Sequence, residues 1–216
     1  MGRYRITGKD TAERLKEDRA CSKALKYSIL RKDSFMNIKI TEEGIDEDLG
    51  QCMGLPMYDI AAKLFPDEKE EVRNALMDEL CEFENGYLEK MGGVLFPGLE
   101  ATLKELKTKY PLYIVSNCQD GYIEAFLQYS KLGEYFKDFT CPAYTGRLKG
   151  ENIRIIMERN GLSEAVYVGD TQGDANSCKE AEIPMIYAAY GFGKVEKADA
   201  SIQSFDELLD MDFDRL

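Results

Sequence analysis

Two aspartates four residues apart, Asp170 and Asp174, stand where the β-branched and aromatic run Ala165-Val166-Tyr167-Val168 gives way to Gly169 and then to a helical pattern. Carboxylates this close repel one another, and a hard divalent cation such as Mg²⁺ relieves the repulsion. The spacing also suits a plainer role, one Asp capping the helix and the other lying in a turn. Upstream, Ser116-Asn117 ends the apolar run Leu112–Val115, and Lys149 lies in Gly146-Arg147-Leu148-Lys149-Gly150 just before another helical segment. A hydroxyl and backbone N–H groups at a helix start hold phosphate oxygens, and a lysine adds a point charge for the same group. Singly, a strand-end Ser is also a cap and a loop Lys is also a solvated side chain. Together and in this order they describe a site, with Ser116, Asn117 and Lys149 for phosphate and Asp170 and Asp174 for a metal. The chain contains no His, which removes Ser-His-Asp and Cys-His triads, His acid–base chemistry and His-ligated metals.

The elements that must position these residues follow from the patterning. Pro97-Gly98 opens a helix over 99–109, with Leu99, Leu103 and Leu106 at helical spacing. Strand 112–115 is followed by a helix at 120–129, a short one at 131–136, a strand at Phe139–Cys141 and a loop at 146–150. A helix at 152–160 is closed by Gly161. Strand 165–168, helix 174–181, strand 184–188 and a last helix at 204–210 complete the order. Alternating β and α with short links predicts a doubly wound parallel sheet, whose carboxyl edge is the ligand edge. Residues 34–90 read differently. They are helical in texture, with acidic starts at Thr41-Glu42-Glu43 and Pro66-Asp67-Glu68, a Gly54-Leu55-Pro56 interruption, and amphipathic runs at 57–65 and 67–90. At the N-terminus, Arg3-Tyr4-Arg5-Ile6-Thr7 has weak strand character, and a helix begins near Asp10-Thr11.

The 216 residues fit an α/β core with a small second domain; 44% are hydrophobic and 31% charged, as in a soluble globular protein. A formal net charge of -12 disfavours nucleic acid and anionic membrane surfaces as partners, and no apolar run approaches a membrane span. Six widely spread cysteines without a CxxC pair read as reduced packing thiols of a cytoplasmic protein.

The motif residues, taken with their order, resemble the haloacid dehalogenase-like superfamily, in particular its phosphoglycolate-phosphatase-like branch with a small all-helical cap. Val115-Ser116-Asn117 is similar to that family's second motif and Lys149-Gly150 to its third. Val168-Gly169-Asp170-Thr171-Gln172-Gly173-Asp174 is similar to the fourth, followed by Ala181-Glu182-Ile183-Pro184. Leu95-Phe96-Pro97-Gly98 resembles the return from cap to core. The resemblance implies a Rossmann-like core from residues 1–12 and 91–216 and a helical cap from 13–90. It also implies Mg²⁺-assisted hydrolysis of a small phosphorylated metabolite through an aspartyl-phosphate.

The family's first motif, Asp-x-Asp-Gly-Thr, supplies the nucleophile and the acid–base group, and it occurs nowhere in the 216 residues. Setting the family's following Asp-Thr against Asp10-Thr11 without gaps puts Arg3 at the nucleophile position, Arg5 at the acid–base position and Thr7 on the motif's Thr. Two Arg for two Asp change the local charge by four units. A guanidinium there would pair with Asp170 and Asp174 and weaken or replace Mg²⁺. Three functions therefore stay open: a phosphatase, a non-catalytic phosphate-ligand-binding or regulatory homologue, and a response-regulator-like receiver. The last is disfavoured by the late position of Asp170 behind a cap-like insertion.

Overall fold

The computed structural model describes Cys52 and residues 54–216. The readings for Arg3, Arg5, Thr7 and the helix near Asp10-Thr11 lie outside the described residues, as does the Thr41-Glu42-Glu43 helix start.

The described chain begins with two helices, α1 (Met57–Leu64) and α2 (Glu70–Met91). Glu70 and Glu71 in the first turn of α2 and Lys90 in its last both complement the helix dipole. Its buried residues Leu76, Met77, Leu80, Cys81, Glu84 and Leu88 recur at helical spacing and define one packed face. Met77 and Cys81 close over Cys52, Ile60 and Ala61 from α1 and the turn before it.

An α/β unit follows. It runs α3 (Leu99–Leu106), β1 (Leu112–Val115), α4 (Tyr122–Ser130), β2 (Phe136–Thr140), α5 (Pro142–Thr145), α6 (Lys149–Asn160), β3 (Tyr167–Gly169), α7 (Gln172–Ala181), β4 (Met185–Ala188) and β5 (Ala200–Ile202), ending in 3₁₀ turns. Every described strand pairing is parallel. β1 pairs with β2 with Val115 opposite Thr140, while β3, β4 and β5 form a second group in that order. The two groups meet where the Tyr167 hydroxyl on β3 donates to the Val115 carbonyl at 2.8 Å.

Helices cover both faces, as parallel strands require. On one face Ile153 and Ile156 of α6 and Ala181 of α7 pack with Val115, Tyr113 and Tyr167. On the other, Leu106 of α3 and Leu208 of the C-terminal 3₁₀ turn pack on Ile186 and Ile202. Among the described residues no helix is long and apolar enough to cross a membrane.

Three readings shift. The β2 strand covers Phe136–Thr140, earlier than 139–141, because 131–136 holds only a 3₁₀ turn at Gly133–Tyr135. Lys149 opens α6 instead of lying in a loop before it: Leu148 is extended, and its carbonyl already accepts from Asn152 N–H at 2.9 Å. The last helix is a 3₁₀ segment, Phe205–Asp210.

Candidate phosphate site at the strand ends

The Val168-Gly169-Asp170 strand end turns into α7 through a capping box. The Thr171 hydroxyl accepts from Asp174 N–H at 3.1 Å and donates to Asp174 Oδ2 at 2.8 Å. The same Oδ2 takes the N–H groups of Asp170 and Thr171 at 3.1 and 3.0 Å. Gly169 is what allows this fold-back: a Cβ there would lie 2.6 Å from Asp174 Cβ. Asp174 Oδ1 in turn accepts from Lys149 Nζ at 2.5 Å, and both side chains are buried. Burial pushes the Asp174 carboxyl up, but the Lys149 charge and the bonds from Lys149 and Thr171 outweigh it and hold the carboxyl below the usual range. Burial likewise opposes the Lys149 ammonium, and Tyr167 and Asp174 beside it outweigh that and raise its pKa. Lys149 is therefore a charged group held in a protein interior by its partners.

Tyr167 joins this pair to the other strand group. The Lys149 ammonium lies 5.6 Å from the Tyr167 ring centroid, and the Tyr167 hydroxyl donates to the carbonyl of Val115. Burial lifts the Tyr167 phenol to about 12, against the pull of Lys149, so it is a neutral hydrogen-bond donor. A continuous chain of contacts thus runs Asp174, Lys149, Tyr167, Val115, and the next residue is Ser116. The structure brings Ser116 and Lys149 to the same sheet edge.

Asn117 points its amide elsewhere, donating to the Gly54 carbonyl at 3.4 Å, and so links the strand end to the turn before α1. Two residues on, Gln119 donates to Glu84 Oε2 at 2.7 Å and to Asn85 Oδ1 at 3.0 Å, both on α2. Asp170 is held from the far side, where Phe192 N–H donates to its Oδ2 at 2.7 Å. A Cβ on Gly191 would meet Asp170 Cβ at 2.3 Å, so this loop can lie against the carboxylate only as glycine. Tyr167, Thr171, Gln119 and the Gly191-Phe192-Gly193 loop were not singled out from sequence. Thr171 with Asp174 three residues later fits the capping-box pattern, and paired glycines mark close backbone approach. Tyr167 carries no such signal, being one more aromatic in a buried strand.

The carboxylates do not form a metal cage among the described residues. Both Asp174 oxygens are occupied, one Asp170 oxygen is occupied, and no group of three or more acidic or thiol side chains converges. Mg²⁺ is held through one or two carboxylates together with waters and phosphate oxygens. These residues by themselves do not fit a resident ion.

The profile of the haloacid dehalogenase-like hydrolase family matches residues 30–188. This chain belongs to the haloacid dehalogenase-like hydrolases. Phosphoglycolate phosphatases of Escherichia coli O157:H7 and Shigella flexneri are each 26% identical to it over 171 residues, covering 74% of this chain and 66% of theirs, just under two thirds. Among solved structures, a predicted phosphatase from Clostridium acetobutylicum superposes with a TM-score of 0.72 at 24% identity, over 90% of this chain and 92% of its own. CbbY from Rhodobacter sphaeroides, solved with phosphate, gives 0.68 at 15% identity, over 88% of each chain. The family match places this chain on the haloacid dehalogenase-like hydrolase scaffold, and phosphatases of that family generally use Mg²⁺.

Proposed function

We propose that this chain holds the phosphoryl group of a small phosphorylated metabolite at the strand edge, on a phosphatase scaffold whose turnover is impaired. The observation that carries the reading is Lys149, a buried ammonium fixed by Asp174 and tied through Tyr167 to the strand end bearing Ser116. A phosphate dianion arriving there would meet a fixed positive charge, the Ser116 hydroxyl and backbone N–H groups, which is the chemistry phosphate needs. Asp174, with both oxygens occupied, is on this reading the anchor of Lys149. Residues 1–12 and 91–216 make the core and 13–90 a helical cap, with Gly54 at the junction reached by Asn117. The thiol pattern and the acidic charge fit a cytoplasmic protein.

Impaired turnover rests on the sequence, which lacks Asp-x-Asp-Gly-Thr and has Arg3 and Arg5 at the ungapped positions of its two carboxylates. An arginine cannot take a phosphoryl group as a carboxylate nucleophile does. The relatives' names favour a second reading, an active phosphatase, and make phosphoglycolate the first metabolite to try. A p-nitrophenyl phosphate assay with Mg²⁺ separates the two. The unaltered chain is expected to show neither burst nor turnover, with activity gained on Arg3→Asp plus Arg5→Asp. Robust Mg²⁺-dependent hydrolysis by the unaltered chain would overturn the proposal.

A further inference from the structure

The packed stripe of α2 runs Leu80, Glu84, Leu88 at helical spacing, so a carboxylate stands where an apolar side chain would complete the face. Glu84 is 6% exposed, and Gln119, whose side-chain amide donates to it, is 9% exposed. A buried carboxylate is costly unless hydrogen-bonded, and a break of this kind in an apolar pattern marks a functional position. The Gln119 amide nitrogen has two hydrogens and two acceptors, Glu84 Oε2 at 2.7 Å and Asn85 Oδ1 at 3.0 Å. Asn85 turns its own amide nitrogen to the Asp120 carbonyl at 2.6 Å. Two successive residues of α2 thus hold a side chain and a main-chain carbonyl of two successive residues in the loop after β1.

That loop begins with Ser116 and Asn117 and ends at Gly121, which opens α4. A Cβ on Gly121 would lie 3.0 Å from Asn85 Nδ2, and one on Gly92, at the far end of α2, would fall against the Tyr129 ring of α4. From Asn85 to Gly92 and from Gly121 to Tyr129 the contacts advance in the same direction, so the end of α2 runs parallel to α4. The turn before α1 reaches the site as well. Its Gly54 carbonyl accepts from Asn117 at 3.4 Å, and a Cβ on Gly54 would lie 3.0 Å from Thr171 Oγ1. The α1–α2 unit therefore straddles the two loops that carry Ser116 and the Asp170–Asp174 turn.

We infer that Gln119 is a positioning residue for the phosphate site, locked by Glu84 and Asn85 so that residues 116–121 hold one course. The sheet fixes this segment at its start, where Ser116 N–H donates to the Thr140 carbonyl at 3.3 Å. Past that point a weak contact runs from Cys141 Sγ to the Gln119 carbonyl at 3.9 Å, and the shorter bonds come from α2. Lys149 is anchored separately, from α7 through Asp174. The Ser116 hydroxyl and the Lys149 ammonium are thus held by different elements, and the seat of α2 on the loop sets the distance between them. The effect on phosphate rests on the proposed phosphate reading, whereas the lock itself does not.

The test titrates inorganic phosphate into the full chain and its variants by calorimetry. Gln119→Met keeps the length of the side chain and loses both N–H donors, and it should bind phosphate about tenfold more weakly. Glu84→Leu should weaken binding likewise, and Glu84→Gln, which keeps an oxygen for Gln119 to donate to, should recover most of the loss. Unchanged affinity in Gln119→Met, or Glu84→Gln as weak as Glu84→Leu, would overturn the proposal. Amide spectra of Asn85→Ala give a second readout, independent of phosphate, that also covers a Gln119→Met chain that fails to fold. This change lies on another element and removes the bond to the Asp120 carbonyl. The Ser116 and Asn117 amide resonances should move, while those of Ile186 and Ile202 in β4 and β5 stay in place. Ser116 and Asn117 amides left unmoved would overturn the lock. A chain that binds no phosphate, yet shows those amides moving in Asn85→Ala, contradicts the phosphate reading alone.

Discussion

Asp174 accepts hydrogen bonds on both oxygens from within its own surroundings, and this fixes what the residue does. Among the described residues its carboxylate is the only acidic group paired with Lys149, so removing it leaves a buried ammonium uncompensated. Asp174→Asn should cost about 3–5 kcal/mol at neutral pH, the range for breaking a buried ion pair, as read from denaturant unfolding. The pH dependence follows from the two directions. Asp174 is lowered on folding, so its contribution is present above the unfolded Asp value of about 3.9 and is lost as pH falls through the lower folded value. Lys149 is raised, so its contribution is complete below the ordinary lysine range and is lost only as pH climbs through the higher folded value. The stability gap between the unaltered chain and Asp174→Asn should accordingly hold constant from pH 6 to 9 and shrink below about pH 4. A gap that vanished near neutrality would contradict the pairing.

At the scale of elements, the site depends on how closely a strand end, a helix start and a glycine loop approach one another. Gly169→Ala puts a Cβ 2.6 Å from Asp174 Cβ, between backbone-held parts that cannot swing aside. We expect about 1–3 kcal/mol of destabilisation, with phosphate binding weakened as well. Gly161→Ala is the control. That glycine closes α6 with φ +65 and has open space where a Cβ would go, so the change should cost about 1–2 kcal/mol and leave phosphate affinity alone. Equal effects of the two changes on phosphate binding would refute the role given to the approach at Gly169. The sequence was informative where local chemistry decides structure. Gly161 as a helix stop, the apolar runs at 112–115 and 184–188, and the amphipathic texture of 67–90 all identified their elements. Strand β5, Ala200–Ile202, was missed because three residues with one large apolar side chain carry no period. Phe205–Asp210 reads as a helix from its leucines, but six residues with no side-chain cap tighten to 3₁₀.

At the scale of the molecule, the fold class and the family were legible because order and spacing survive at 26% identity. What joins the motifs was not. The Tyr167 bridge to Val115 links residues far apart in the chain, and only the fold brings them together. The thiols read as packing residues, and the five cysteines among the described residues are free and buried. The net charge of -12 makes a simple expectation: no retardation of duplex DNA in a gel at physiological salt, since no excess of cations offsets phosphate repulsion. Against that global charge, attraction of a phosphate has to come from the local field around Lys149. Calorimetric titration of inorganic phosphate into the unaltered chain and into Ser116→Ala tests this most directly. The account predicts saturable one-to-one binding that Ser116→Ala weakens about tenfold. Absence of binding, or binding that Ser116→Ala leaves unchanged, would contradict it.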